Sequence, residues 1–293
     1  MSAKMSNITN TSFYENLFLP GKMPTKCLLC TEGKLHQLGH IIPKFAMRWI
    51  KDAGKLKDLH FNNTEDKMVD TPAIRMMCEA CETKISLLEK CFTDNYFKRY
   101  YRKQPMRSMW DELYAFSISV AWRILASSRI LKDTEMHIKE YDEAFSSIES
   151  RARSFLMDTS HKCDIAVYVF SADEILNNLS VDKYNKSLLL FSIRQGLKAH
   201  NFYDNSGFFT LSFGRVPIIA FKIGFLYFFV VDTGYFRNVP FFMKAVRSPA
   251  TYDLYTVEFT DGFLGFMDWC FELGLYEVDS SCIPKANYAR RNT

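Results

Sequence analysis

Two Cys-x-x-Cys pairs, Cys27-Leu-Leu-Cys30 and Cys78-Glu-Ala-Cys81, are separated by 47 residues. Each spacing suits a turn that aims two thiolates at one ion, and four thiolates around Zn²⁺ make a closed tetrahedral site. A closed site has no open position for water, so Cys27, Cys30, Cys78 and Cys81 predict a structural metal centre. The competing reading is four thiols packed as small hydrophobes. Cys91, Cys163, Cys270 and Cys282 stand alone in the sequence and read as buried thiols.

Between the pairs lies Gly39-His40-Ile41-Ile42-Pro43-Lys44-Phe45, and Glu82 follows the second pair directly. A histidine titrates near neutral pH and suits the task of a general base. A carboxylate is an acceptable ligand for Mg²⁺ or Mn²⁺. Glu82 and Glu89 are seven residues apart and share one face of a helix, so both could approach one ion. The plainer readings are a satisfied core histidine at His40, beside Ile41 and Ile42, and a solvated Glu89 beside Lys90. His36 is a weaker candidate for a metal or phosphate contact, and His60, His137, His161 and His200 lie in no motif.

The order of these motifs resembles the HNH endonucleases of the ββα-metal type, over about residues 27–92. That resemblance implies a hairpin followed by a helix, with zinc stapling its ends. It implies His40 as the base that activates water against a phosphodiester, and Glu82 as ligand of a catalytic Mg²⁺ or Mn²⁺. It also implies DNA as substrate and the setting of bacterial or phage defence or of a mobile element. The chain departs from the family pattern at three points. Gly39 stands where a polar or acidic metal ligand often precedes the base, Glu82 stands in place of the last histidine, and 72–76 lack the middle asparagine, with Asn62 and Asn63 off its offset.

A basic and aromatic stretch follows, Tyr96-Phe97-Lys98-Arg99-Tyr100-Tyr101-Arg102-Lys103. Lys98, Arg99, Arg102 and Lys103 can pair with phosphates, and tyrosines can stack on unpaired bases or pack beneath the backbone. As a helix it would put Tyr96, Arg99 and Lys103 on one face. Lys44 and Arg48 add two cations just past the histidine. Residues 1–110 hold 18 basic against 11 acidic side chains, a net +7, within a chain of net +4. Such asymmetry predicts a polyanionic partner for the first part, against the alternative of an ordinary solvated surface.

Helices and strands must position these groups. Residues 74–88 turn helical, and Pro105 breaks the chain. A helix over 111–131 carries Leu113, Phe116, Val120, Ile124 and Ile130 on one stripe, and a second runs from Asp133 or Thr134 to about Phe155. Apolar, β-branched and aromatic runs over 165–170, 188–193, 208–213, 217–221 and 225–231 read as strands, the last two joined by a hairpin through Lys222-Ile223-Gly224. Residues 263–273 read as a closing helix, and the apolar start at 13–19 is expected to dock on the body.

The fold class is therefore α+β, with an N-terminal zinc-stapled ββα module over 1–110, a helical hairpin over 111–160 and an antiparallel-sheet region over 161–293. With 293 residues, 48% hydrophobic and 24% charged, the composition is that of a globular protein and excludes a disordered chain, a collagen or a coiled-coil rod. No signal peptide is evident and no apolar run reaches the length of a membrane span, so the expectation is a cytoplasmic protein without a membrane partner. The Phe-rich sheet, if it is more than a core, offers a surface for a protein partner or a second copy. The expected function is a metal-dependent HNH-type endonuclease. The alternative is a non-catalytic zinc module that binds nucleic acid or a protein.

Overall fold

A computed structural model describes residues 15–46, 48, 59–60, 67–68, 73–105, 110–131, 142–161, 163–171, 207–213, 216–224, 226–234 and 255–256. In chain order it contains strands β1 (Gly39–His40), β2 (Leu59–His60), β3 (Lys67–Met68) and β4 (Ala73–Ile74), then helix α1 (Glu79–Phe92). A π-helical turn over Thr93–Phe97 leads into the short helix α2 (Lys98–Tyr101). Helices α3 (Trp110–Ser128) and α4 (Asp142–Met157) follow. The last described elements are strands β5 (Ile165–Ser171), β6 (Gly207–Phe213), β7 (Val216–Ile223), β8 (Leu226–Asp232) and β9 (Tyr255–Thr256). The chain is thus a mixed helix-and-sheet protein. The strand expected over 188–193, the start of the second helix near Asp133 and the closing helix over 263–273 lie outside the described residues, as do Asn62, Asn63, Cys270 and Cys282.

Helix α1 begins later than the apolar period suggests. Ala73 and Ile74 pair antiparallel with β1 instead, His40 opposite Ala73 and Gly39 opposite Ile74. The carbonyls of Met76 and Met77 are already committed, accepting from the N–H groups of Leu28 and His36 at 2.8 and 3.0 Å. A backbone used in this way cannot also close helical turns, so the helix starts behind Cys78, its extended N-cap. Glu79 and Glu82 in the first turn match the positive end of the helix dipole.

At the wider turn Thr93–Phe97 the chain keeps Phe92, Tyr96 and Phe97 all buried. Asn95 Nδ2 and Thr93 Oγ1 bond the carbonyls of Cys91 and Glu89 across this irregular turn.

Helix α3 is the central element. Every residue over 113–128 is buried, as expected of a helix enclosed on all sides rather than amphipathic. It packs on α1 and α4 and against β5, β7 and β8. Ser117, Ser119 and Ser127 are satisfied within the helix, Ser117 Oγ donating to the Leu113 carbonyl and Ser119 Oγ to that of Phe116, both at 2.7 Å, and Ser127 Oγ to that of Ile124 at 3.0 Å. The Phe116 ring stacks on Phe92 of α1 at 4.1 Å between centroids and meets Phe228 of β8 at 6.2 Å. One apolar core therefore runs from Phe18 through α1 and α3 into the sheet. The N-terminal apolar run docks where it is described: Phe18 is buried and bridges Leu131.

The sheet has the order β6-β7-β8-β5-β9. The β6-β7, β7-β8 and β8-β5 pairs are antiparallel, as expected. The β5-β9 pair is parallel, Tyr168 opposite Tyr255, a departure that no local pattern announces because a parallel neighbour arrives through a long connection. The β7-β8 turn is tighter than expected: Ile223 pairs with Leu226, and Gly224 takes the left-handed backbone at φ +56° that a two-residue loop requires. Phe221 and Phe228, directly opposite, stack at 4.6 Å.

Truncating the ring that joins both helices to the sheet tests this organisation. Phe116→Ala is expected to lower the unfolding free energy by about 3–5 kcal/mol, read from the denaturant midpoint, with one cooperative transition if α1, α3 and β8 share one core.

Candidate functional site

The four cysteines of the two pairs come together as the spacing predicts. Their Sγ atoms all lie within 4.8 Å of one another, and Cys30 Sγ stands 3.8 Å from Cys78 Sγ. The first pair sits in a tight knuckle. Cys27 N–H donates to the Gly33 carbonyl at 2.8 Å, Thr31 N–H to that of Cys27 at 2.9 Å, and Gly33 N–H reaches Cys30 Sγ at 3.3 Å. The second pair is helical, with Cys78 at the N-cap and Cys81 buried in the first turn of α1.

The electrostatics of the four thiols conflict. Backbone N–H groups of Glu32 and Gly33 bring Cys30 down to about 6, whereas burial pushes Cys27 and Cys81 up. Four soft donors in one small space, one of them already favouring the thiolate, form a cluster compatible with a zinc site. Cys91 and Cys163 stand apart from it. Cys163 is buried, and its burial pushes the thiol up to about 12.

A second constellation lies beside the cluster. The carboxyl of Glu82 turns from the first turn of α1 onto β1. A Cβ on Gly39 would fall 2.2 Å from Glu82 Oε1, so the carboxyl fills the space that any side chain at 39 would need. Glu82 Oε1 is buried and has no hydrogen-bond partner. Burial holds this carboxyl above the usual range, Glu89 adding to the effect and Arg123 and His36 opposing it.

His40, next to Gly39, is half-buried. Its carbonyl oxygen accepts from Arg123 Nη1 at 2.9 Å, and the same nitrogen donates to Glu89 Oε1 at 2.7 Å. The structure thus brings His40, Glu82 and Glu89 into one neighbourhood, but Glu89 spends its carboxylate on an ion pair. Arg123, only 2% exposed, is the member that sequence reasoning missed. Its signal was available: it is the one charged residue over 113–128, a run otherwise built of apolar residues and serine.

The basic groups divide. Arg102 and Lys103 are exposed. Lys98 is exposed and pairs with Asp94 at 2.7 Å, while Arg99 Nε donates to the Pro105 carbonyl. The expected shared face of Tyr96, Arg99 and Lys103 does not form: α2 ends at Tyr101 and Lys103 takes a left-handed backbone. Tyr96 and Phe97 are buried in the core, so they pack beneath the backbone instead of offering faces to bases. Lys44 and the exposed Arg48 flank Phe45, whose ring meets Phe97 at 5.1 Å, and this contact draws the two basic segments together.

No protein-family profile, no curated protein and no solved structure matches this chain. Among the described residues, no helix is long and apolar enough to cross a membrane.

Two glycines make contrasting predictions. A Cβ at Gly33 would lie 2.7 Å from both Cβ and Sγ of Cys78, a short side chain that cannot swing a flexible end aside. Gly33→Ala is expected to spread the cysteine cluster and lower the bound metal per chain, measured by elemental analysis and chelator competition. At Gly39 the obstacle is the end of a flexible side chain, so Gly39→Ala is expected to displace the Glu82 carboxyl at little cost to the fold. A double-mutant cycle of Gly39→Ala with Glu82→Ala should give a coupling of about 0.5–3 kcal/mol; simple additivity would show that the two positions do not meet.

Proposed function

We propose that this chain is a metal-dependent endonuclease of the HNH type that hydrolyses DNA phosphodiester bonds. The observation that carries the reading is one of arrangement. His40 stands on a strand paired with the segment just before α1, and the first turn of that helix lays Glu82 against the strand beside the four-cysteine cluster.

In this reading a structural Zn²⁺ is held by Cys27, Cys30, Cys78 and Cys81 and ties the knuckle to the start of α1. His40 takes the proton of the attacking water. The orphaned oxygen of Glu82 is the donor that fits a Mg²⁺ or Mn²⁺ ion, whose contribution is to stabilise charge developing on the leaving oxygen. Exposed Arg48, Arg102 and Lys103, with Lys44, Lys98 and Arg99, supply cations for the DNA backbone.

A second reading, a non-catalytic zinc module that binds nucleic acid or protein, is favoured by one observation. Glu89 is paired with Arg123, which leaves Glu82 as the single carboxylate of the constellation without a partner.

Cleavage of supercoiled plasmid with Mg²⁺, with Mn²⁺ or with neither separates the two, using wild type beside His40→Ala and with metal content read on the same samples. The nuclease reading expects ion-dependent nicking that falls by about 100-fold or more in His40→Ala at unchanged zinc. Cleavage that survives His40→Ala overturns it. An inert wild type that still binds DNA with steep salt dependence is the result of the binding module.

A further inference from the structure

We infer that Arg123 is a positioning residue of the His40 site, which α3 supplies from outside the strand-and-helix module to lock the strand that carries His40 onto the helix that carries Glu82 and Glu89. The significance of this for catalysis rests on the nuclease reading, but its geometry does not.

β1 is two residues long and pairs with a strand of the same length. Arg123 adds a charged donor at the carbonyl of His40 itself, 83 residues away in sequence, and anchors the other side of the same nitrogen on Glu89. Its Nε is held by the Ser119 carbonyl at 3.3 Å, one turn back on α3. The guanidinium is therefore fixed by its own helix and reaches both other elements from there. The His40 backbone sets the direction in which Cβ leaves the strand, so restraining its carbonyl restrains the base from which the imidazole projects. Arg123 meets His40 at its carbonyl and Glu89 at its carboxylate and acts through these two residues.

An apolar residue would be easier to enclose at this place, because an uncompensated buried charge is costly. Lysine is no equivalent, since one ammonium lacks the planar fork that holds several acceptors in fixed directions. The guanidinium also has a nitrogen in reserve: Nη2 is buried without a partner. Saturating the arginine is thus not what the arrangement achieves. What it achieves is a join between α3, α1 and β1 at the residue expected to do the chemistry.

The test uses the full chain as wild type, Arg123→Met and Arg123→Lys. The six histidines make carbon-13 histidine labelling simple to read, with the His40 ring signal assigned from His40→Ala and exposed His161 as internal control. The expected result is a His40 signal that shifts or broadens in Arg123→Met while that of His161 stays. In the cleavage assay, kcat is expected to fall about tenfold or more with KM nearly unchanged, and Arg123→Lys to recover part of the loss. An unmoved His40 signal overturns the proposal, as does a loss of kcat no larger than the loss of folded protein. If Arg123→Met does not fold, Arg123→Lys carries the same comparison, since it keeps the charge but loses the fork. If wild type cleaves nothing, the nuclease reading fails, and the His40 signal alone decides whether Arg123 positions that residue.

Discussion

A helix buried on every side has no face to spare for water, so the one guanidinium it carries must find its acceptors inside the protein. Helix α3 meets this constraint by turning Arg123 toward β1 and α1, and the arrangement of the N-terminal part follows from it. The same helix lends Phe116 to the stack with Phe92 and Phe228. Apolar contact joins α1 to the sheet, by Phe92 against Phe228 and by way of Phe116 of α3, and the Arg123 hydrogen bond joins α3 to the strand of His40. Removing water from around a charge makes its remaining bonds stronger and more directional, which is why one buried arginine can organise elements that two-residue strands hold only weakly.

The cysteine cluster resolves a different conflict. One thiol is drawn toward the thiolate by neighbouring N–H groups, and two others are pushed by burial toward the neutral form. A divalent cation bound there would remove this opposition, since it would compensate several thiolates at once in a small volume. The approach of Gly33 to Cys78 shows how closely the knuckle must sit on the N-terminus of α1 for the donors to converge. Glu82, one residue past Cys81, is placed by the same junction. The cluster and the carboxyl of the proposed active site are consequences of one helix start.

Two of the three departures of the chain from the HNH pattern it resembles, Gly39 and Glu82, meet in space. The carboxyl of Glu82 lies where a side chain at 39 would stand. A residue without Cβ and a longer acidic residue are complementary here: a side chain at 39 would push the Glu82 carboxyl aside, and the carboxyl occupies the space that Gly39 leaves.

Residue type and spacing alone determined a good deal. The two cysteine pairs, the long helices, the hairpin of β7 and β8 and the α+β class all follow from local patterns, because metal-ligand spacing, helical period and strand-forming runs are properties of nearby residues. Arg123 as partner of His40 and Glu89, the burial of Tyr96 and Phe97 and the parallel pairing of β9 were decided by the tertiary structure. Each depends on residues far apart in the chain: Arg123 was visible as a lone charge in an apolar run, but a separation of 83 positions from His40 leaves no local signal of their contact. The meeting of Gly39 and Glu82 belongs to the same class. Spacing can say that two groups have the right chemistry, but only the packing of α3 and α1 around a shared core decides that they stand within reach of each other.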